Sequence, residues 1–452
     1  MALYFYPRGG SAHVTRALAR QLDSQGFDVN LLSGSRSDLG DLADAESFFA
    51  GLDPYLIDYT PALLSADPQR YEGPAGTAPM HGSYEDRPGS EDPVFAVIDD
   101  ATYERHVEAW SQALDDAGAG EADLLYLHHL SPVNEAAARS FPEIPICGHI
   151  HGSELLMLER IASGPPVSWA HADAWLERIC RWAASCERLV VNSPEGRKRA
   201  ARLLDIDPER LLLIANGIDP EFAPREIDRR AHWRRHLVEQ PRGWRPGQPP
   251  GSVGYREEQL RPLEGTTLLA AGRFTEVKRL TLLIEAYAEA RERFGVPTAL
   301  VLLGGYPGEW EGEHPAETVE RLGLSDVFLA GWHSHELPDF FSAADLLVHP
   351  SVHEQFGQVL IEAMACGAPV LAVNRGGPAT IVADGETGWL IEPDDRDALV
   401  ASMIEAVNDT EERDCRGEAA REEVSVQYAW AAIGAELAAE LHEPAPLSGV
   451  SS

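Results

Sequence analysis

Lysine is nearly absent from the 452-residue sequence: Lys198 and Lys278 are its only lysines, and arginine supplies the other 35 of the 37 basic residues. Against them stand 73 acidic residues, which give a formal net charge of −36. Such a surface repels nucleic acid and anionic membranes, so neither is expected as a partner. The acidic, lysine-poor composition is typical of a halophilic, high-salt cytoplasm, although a GC-rich genome explains the arginine bias equally well.

Long apolar runs and paired cysteines are also missing. No stretch of about 18 apolar residues occurs, which predicts no membrane-spanning helix. Residues 1–6 lack a basic flank and meet Pro7-Arg8-Gly9-Gly10 too soon for a signal peptide, so a buried first strand in a cytoplasmic protein is expected. The five cysteines form no C-x-x-C pair, which argues against a disulfide framework and a cysteine zinc site.

The sequence does contain short apolar runs that alternate with helical patterns, which is the signature of an α/β fold. Because the runs are nearly continuous in Leu, Val and Ile, they predict parallel strands buried on both faces. The runs form two sets, which predicts two doubly wound, Rossmann-like domains. Strands are predicted at 2–6, 28–33, 123–128, 145–150, 188–192, 210–215, 266–271, 299–304, 327–330, 345–349, 369–373 and 388–391. Helices are predicted at 11–24, 280–294, 337–343, 358–366, 395–407 and 428–442.

Two segments interrupt this pattern. Residues 65–104 are rich in Gly, Pro and acid, which predicts a long insertion. Residues 224–261 contain nine arginines against five acids, and we interpret them either as a solvated linker or as an anion-contacting flap. The expected organisation is a first domain at 1–222, a connection at 223–262, a second domain at 263–427, and a closing helix and tail at 428–452. A monomer or homodimer is expected.

The most informative motif runs through a strand, a loop and a helix from His349 to Gly367. The helix begins near Phe356 and Gly357, where free backbone amides suit anionic or hydroxyl-rich ligands. Glu354 lies in the loop and Glu362 lies one turn inside the helix. Two carboxylates that flank a set of amides can grip a polyol at two points. The alternative is that acids simply favour a helix start for dipole reasons.

A second constellation follows the predicted strand at 266–271. Arg273 and Lys278 are five residues apart at a strand-to-helix turn, and their side chains can converge on one site. Such a pair of cations can neutralise negative charge on a ligand. The alternative is that both are ordinary surface cations. That interpretation is weakened because one of only two lysines stands at this position.

The first half of the chain offers weaker candidates. Gly9 and Gly10 separate a strand from a helix, and such a turn lets the backbone approach a phosphate. His151 stands at the end of a predicted strand, and His128 and His129 end the preceding one. Histidines at strand ends are more often structural than functional. Asp205-Ile206-Asp207 has the form of a metal-binding pair, but its position before Pro208 favours a capping turn.

The glutamates Glu354 and Glu362 stand within Pro-Ser-x-x-Glu-x-Phe-Gly-x-x-x-x-Glu-Ala-Met-Ala-x-Gly, which resembles the donor-site signature of the retaining GT-B glycosyltransferases of family 4, also called group 1. Gly376-Gly377-Pro378 and residues 384–391 continue the resemblance. It implies two Rossmann-like domains facing across a cleft, with the donor mainly on the second. It also implies metal-independent, front-face transfer of a sugar from a UDP-, GDP- or ADP-hexose to an unidentified acceptor, with no cofactor.

The resemblance assigns expected roles to individual residues. Donor binding is expected of Gly10, Arg273, Lys278, Trp332, Glu354, Phe356, Gly357, Gln358 and Glu362. Catalytic roles are expected of His151, Arg273, Lys278 and Glu354. Acceptor-side candidates are Arg8, Ser11, His13, His128 and His129. Arg279 departs from the pattern, because the family usually has Gly after the lysine. The competing hypotheses are a sugar-nucleotide epimerase on the same fold and a non-catalytic sugar-nucleotide-binding protein.

Overall fold

A computed structural model describes residues 1–41, 43–86, 90–333 and 336–442. The chain divides into two compact units: unit 1 is Met1–Gly217 together with the residues from Trp430 onward, and unit 2 is Ile218–Ala429. Each unit is a parallel sheet with helices, which confirms the predicted pair of Rossmann-like α/β domains. Residues 87–89 of the predicted insertion and 443–452 of the predicted tail lie outside the described residues.

Unit 1 contains a seven-stranded sheet in the order β3-β2-β1-β4-β5-β6-β7, and all of its strand pairs are parallel. Its strands are β1 Ala2–Leu3, β2 Leu32–Ser35, β3 Tyr55–Asp58, β4 Leu125–His128, β5 Ile146–His149, β6 Arg188–Val191 and β7 Leu211–Leu213. Its helices are α1 Gly10–Ser24, α2 Ala45–Phe48, α3 Thr60–Leu63, α4 Asp100–Asp116, α5 Pro132–Ser140, α6 Ser153–Ala162, α7 Ala172–Ser185, α8 Pro194–Leu204 and the last helix among the described residues, α17 Trp430–His442.

Two features of unit 1 depart from a simple alternating pattern. The described part of the predicted insertion packs into the core through Met80, Tyr84 and Phe95, all of which are buried. The last helix, α17, returns to unit 1 and packs against α1, where Gly434 lies close to Gln21. A Cβ at position 434 would stand 2.3 Å from the Gln21 side chain. The small residue therefore allows the two helices to approach closely.

Unit 2 contains a six-stranded parallel sheet in the order β10-β9-β8-β11-β12-β13. Its strands are β8 Thr266–Gly272, β9 Thr298–Gly304, β10 Val327–Gly331, β11 Leu346–His349, β12 Val370–Val373 and β13 Gly388–Ile391. Its helices are α9 Arg229–Arg234, α10 Leu280–Ala290, α11 Pro315–Arg321, α12 Leu337–Ala343, α13 Gln358–Ala365, α14 Pro378–Ile381, α15 Arg396–Asn408 and α16 Thr410–Gln427.

The arginine-rich segment at 224–261 is packed onto unit 2. Its Trp233 and Trp244 are each 1% exposed, so the segment is not a solvated linker. It covers the edge strand β10, where the amide of Leu329 donates to the hydroxyl of Tyr255 at 2.8 Å. A π-helical turn, Arg235–Glu239, follows α9 within it. An edge strand that is covered in this way cannot pair with another chain.

Both sheets reverse their strand order at one place, between β1 and β4 in unit 1 and between β8 and β11 in unit 2. In open parallel sheets, ligands bind outside the carboxyl ends of the strands at such a switch point. The loops that follow β1, β4, β8 and β11 are therefore the places to look for a site. Among the described residues, no helix combines the length and apolar character needed to cross a membrane.

Candidate active site

The switch point of unit 2 joins a lysine, a glutamate and a histidine. Nζ of Lys278 lies 2.5 Å from Oε2 of Glu354, and Nε2 of His349 lies 3.0 Å from the same oxygen. Lys278 follows β8, His349 ends β11, and these two strands are paired neighbours. The Lys278 and Glu354 side chains are each only 19% exposed. Their ion pair is consequently much less screened by solvent than a surface pair.

The charges of this cluster follow from its surroundings. Burial alone would raise the pKa of Glu354, but Lys278 and His349 outweigh that effect and hold the pKa well below its usual range. Burial, together with the nearby Lys278 charge, lowers the pKa of His349. At neutral pH the cluster therefore consists of an ammonium, a carboxylate and a neutral imidazole. Since the carboxylate only accepts hydrogen bonds, the imidazole proton is on Nε2.

Arg273 lies beside this cluster. It directly follows β8, and a small pocket at the ends of β8 and β11 is lined by Arg273, Lys278 and His349, among other residues. Arg273 is exposed, whereas Lys278 is half-buried. The protein as a whole is strongly acidic, so this pocket is a local cationic exception.

The loop after Glu354 approaches a neighbouring loop more closely than side chains would permit. A Cβ at Gly377 would stand 1.8 Å from the carbonyl oxygen of Phe356, and a Cβ at Gly376 would stand 2.6 Å from that of Glu354. The amide of Gly377 donates to the Glu354 carbonyl at 3.0 Å. Gly357 has φ 104° and directly precedes α13. Three glycines therefore allow the backbone conformation of the predicted donor loop. The helix that follows the loop, α13, begins at the carboxyl edge of the sheet.

Glu362 lies one turn inside α13, and its chemistry differs from that of Glu354. Burial, together with the nearby charges of Asp219 and Glu221, raises the pKa of Glu362 to about 8, although a hydrogen bond from Gln358, the first residue of α13, opposes the shift. The carboxyl group is therefore largely protonated at pH 7. In that form it both donates and accepts hydrogen bonds.

Trp332, one of the predicted donor-binding residues, directly follows β10 and is 39% exposed. Its carbonyl accepts a hydrogen bond from the Arg242 guanidinium at 3.4 Å. The arginine-rich segment thus holds the backbone of this residue.

In unit 1 the predicted glycine turn is present, but Arg8 has a partner that the sequence did not reveal. Gly9 has φ 73°, and α1 begins at Gly10. The Arg8 guanidinium lies 2.5 Å from a carboxylate oxygen of Asp92 and 2.7 Å from the hydroxyl of Tyr6. Asp92 is almost fully buried, so Arg8 is neutralised by a residue of the predicted insertion. Ser11 is half-buried on α1.

His13 stands apart from this pair. It is exposed on α1, with Nδ1 3.3 Å from the Arg16 guanidinium and its ring against Phe48.

The histidines at the ends of β4 and β5 form one cluster. Nδ1 of His128 lies 3.0 Å from Nε2 of His151, and the rings of His149 and His151 stack with centroids 4.3 Å apart. The hydroxyl of Tyr126 lies 2.9 Å from Nδ1 of His149. Burial lowers the pKa of His149 to about 3 and also lowers those of His128 and His151. His128, His149 and His151 are therefore neutral at pH 7, and ring contacts rather than charges hold His151 in position.

Glu154 organises the turn that carries His151. It is fully buried, and its carboxylate lies 2.6 Å from Nδ1 of His129 and accepts from the Gly152 amide at 2.9 Å. Burial opposes its ionisation, but His129 outweighs this and lowers the pKa of Glu154. His129 itself has φ 70°, a left-handed conformation that is strained for a non-glycine residue. We infer that the His129–Glu154 pair holds this turn in place.

Comparison with known families accounts for both units. A family model described as "Glycosyltransferase Family 4" matches residues 8–222, and one described as "Glycosyl transferases group 1" matches residues 254–423. The chain belongs to the family 4, group 1 glycosyltransferases.

Curated relatives of this family 4 member are similar over part of their length. A D-inositol 3-phosphate glycosyltransferase of Catenulispora acidiphila is 34% identical over 232 residues, covering 49% of each chain. One of Kribbella flavida is 32% identical over 247 residues, covering 53% of this chain and 52% of the relative. The matched part thus spans about half the length of these relatives.

Solved structures share the fold. A sucrose-phosphate synthase from Thermosynechococcus elongatus superposes with a TM-score of 0.66 at 21% identity over 97% of both chains. Anabaena HepE, solved in complex with UDP and glucose, superposes with a TM-score of 0.67 at 18% identity over 98% of this chain and 99% of its own. The GT-B fold class predicted from the sequence is confirmed.

Arg279, where the family 4 pattern usually has Gly, keeps the backbone conformation that favours glycine. It has φ 53° and ψ 35° and directly precedes α10. Its side chain pairs with Asp394, with Nε 2.7 Å from a carboxylate oxygen. The departure therefore costs backbone strain, because a side chain occupies a left-handed conformation.

His349 in unit 2 and Glu154 in unit 1 were not among the sequence candidates. His349 ends β11, and its position five residues before Glu354 was a usable signal, because strand ends at a switch point carry functional residues. Glu154 stands three residues after the candidate His151, and that proximity was the available signal.

Proposed function

We propose that this chain is a retaining glycosyltransferase that takes its sugar from a nucleotide-diphosphate donor bound by unit 2. The observation that carries the proposal is the half-buried Lys278–Glu354 ion pair, 2.5 Å long, with Arg273 beside it at the switch point. A half-buried cation that is held in place within a chain of net charge −36 suits an anionic ligand. The ion pair with Glu354 orients Lys278 before that ligand arrives.

The proposed chemistry breaks the bond between the sugar and the diphosphate. As it breaks, negative charge grows on the diphosphate, and Arg273 and Lys278 stabilise that charge without reorganising. Glu354 accepts hydrogen bonds from sugar hydroxyls and so positions the reacting carbon. The acceptor attacks from the face that the diphosphate leaves, and a phosphate oxygen takes the acceptor's proton. His151, neutral and held by His128, is proposed to accept or donate a hydrogen bond to the sugar.

Glu362 is proposed to bind the ribose diol of the nucleotide. Its protonated carboxyl group can donate one hydrogen bond and accept another, which matches two neighbouring hydroxyls. Replacement by alanine should weaken binding of the free nucleoside diphosphate by about tenfold or more. Calorimetric titration with the nucleotide measures this, and an unchanged affinity in a folded variant would remove Glu362 from the site.

The relatives and neighbours suggest which ligands to try first. HepE was solved with UDP and glucose, and the curated relatives are named D-inositol 3-phosphate glycosyltransferases. UDP-hexoses and inositol phosphate are therefore the leading candidates for donor and acceptor. Arg8, the arginine among the predicted acceptor-side residues, is neutralised by Asp92. Paired assays of inositol and its phosphate would show whether an acceptor phosphate is needed.

Incubation of the full chain with UDP-, GDP- and ADP-hexoses at high salt tests the proposal directly. A transferase hydrolyses its donor slowly and so releases the nucleoside diphosphate. The release of nucleoside diphosphate should be faster when the right acceptor is present. An epimerase changes the configuration of a donor sugar carbon without an acceptor, and a binding protein leaves the donor intact. If no sugar nucleotide is bound or hydrolysed, the proposal fails.

A further inference from the structure

A second polar cluster lies at the edge of unit 2, outside the proposed donor-binding residues. It joins His236, on the π-helical turn of the arginine-rich segment, to His333, just after β10, and Glu336, just before α12. One ligand atom from each of the three side chains lies within 4.8 Å of the others. Both histidines are buried, and the Glu336 side chain is 25% exposed.

His333 presents an arrangement that calls for a cation. Its Nε2 lies 3.2 Å from the backbone carbonyl of Ala330, and a carbonyl can only accept, so Nε2 carries the ring proton. The Nδ1 lone pair then faces a carboxylate oxygen of Glu336 at 3.3 Å. Two electron-rich atoms at this distance repel each other unless a proton or a metal ion lies between them.

The geometry also suits a metal. Zinc bound tetrahedrally at about 2.0–2.1 Å places its ligand atoms about 3.3–3.4 Å apart. The His333–Glu336 separation of 3.3 Å already matches, and Nε2 of His236 lies 4.0 Å from the other oxygen of Glu336. The hydrogen bond from His333 to Ala330 is the outer contact that metal-bound histidines usually make. The rings of His236 and His333 are nearly perpendicular, at 87°.

We infer that His236, His333 and Glu336 bind a divalent transition-metal ion, zinc being the best fit to a ligand set of two imidazoles and one carboxylate. The ion would fasten the arginine-rich segment to the strand end that carries Trp332. His236 lies between the residues matched by the two family models, 8–222 and 254–423. The site would therefore be a feature of this chain's own connecting segment, and it does not depend on the proposed transfer reaction.

A competing group of three histidines, His128, His149 and His151, also has ligand atoms within 4.8 Å of one another. We disfavour it because Nδ1 of His128 and Nε2 of His151 are engaged with each other at 3.0 Å, and the His149 and His151 rings stack at an interplanar angle of 10°. Nearly parallel stacked rings do not readily direct their lone pairs at one ion. This group provides the matched control.

The test uses the full chain without an affinity tag, treated with chelator and dialysed. Zinc is titrated in competition with a chromophoric chelator, and cobalt is added separately to read the visible spectrum of a low-coordinate site. The wild type should bind one zinc per chain with a dissociation constant below about 10 µM. His236→Ala and the shape-preserving Glu336→Gln should each weaken binding by about tenfold or more, whereas His149→Ala should not.

Arg235 supplies a further, sign-specific test. Its guanidinium lies 3.1 Å from a Glu336 oxygen, so it competes with the ion, and Arg235→Ala should tighten zinc binding. Circular dichroism establishes that each variant is folded. The inference is overturned if the wild type binds no zinc in this range, if binding survives in folded Glu336→Gln, or if it is lost in folded His149→Ala but kept in His236→Ala.

Discussion

Replacing Glu362 with glutamine should remove a pH-dependent part of the stability of unit 2. Burial raises the pKa of Glu362 from 4.5 to about 8. Between these values the folded state retains a proton that the unfolded state releases, so the folded state gains stability that is fully present below about pH 4.5 and is lost as the pH rises through about 8. At about 1.4 kcal/mol for each pH unit, the full contribution is roughly 5 kcal/mol.

The assay is urea unfolding of the wild type and Glu362→Gln at a series of pH values from 5 to 8.5, in high salt to screen the surface charges. Unit 2 contains the buried Trp233 and Trp244, whose fluorescence can report its transition. The wild type should lose stability relative to the variant as the pH rises, by several kcal/mol across the range. Glu386→Gln, at an exposed glutamate of the same unit, is the control. A wild-type-minus-variant difference that is constant with pH would refute the reasoning.

Three other substitutions have defined outcomes. Lys278→Ala should lower donor turnover by about 10²-fold or more while the fold is retained. Lys198→Ala, at the exposed second lysine, is the control and should not lower turnover. Equal turnover in the two variants would remove Lys278 from the mechanism. Arg279→Gly should relieve roughly 1 kcal/mol of left-handed backbone strain, while the exposed ion pair with Asp394 that it loses contributes less. Because Arg279→Ala loses the same pair but keeps the strain, the melting temperature of Arg279→Gly should be the higher of the two. The reverse order would show that the backbone at this position is not strained. Glu154→Ala should destabilise unit 1 by about 3 kcal/mol, and a urea midpoint equal to that of the wild type would show that Glu154 does not hold the turn.

The strands of unit 2 were predictable because they are apolar and almost entirely buried. The predicted 266–271 and 388–391 correspond to Thr266–Gly272 and Gly388–Ile391. The edge strand Tyr55–Asp58 was missed because only its Ile57 is buried, so it lacks a continuous apolar run. The predicted strand at 2–6 is shorter in the structure, at Ala2–Leu3.

The candidate site was predictable only as far as its motifs are local. Glu354 and Lys278 were each found from nearby residues, but their ion pair joins positions 76 residues apart. That contact forms because β9 and β10 lie on one side of β8 and β11 pairs with its other side. A local sequence pattern does not encode this strand order. The partner of Arg8, Asp92, is 84 residues away in a segment without regular structure. Long-range pairing therefore limits what sequence patterns reveal about charge.

The measurement that tests the central claim most directly is a proton NMR time course of donor hydrolysis by the full chain, using α-linked UDP-, GDP- and ADP-hexoses. A retaining glycosyltransferase should consume one of them, release the nucleoside diphosphate and produce the α-hexose first, before mutarotation. The Lys198→Ala variant should behave like the wild type. Failure to consume any donor, or initial appearance of the β-hexose, would contradict the account.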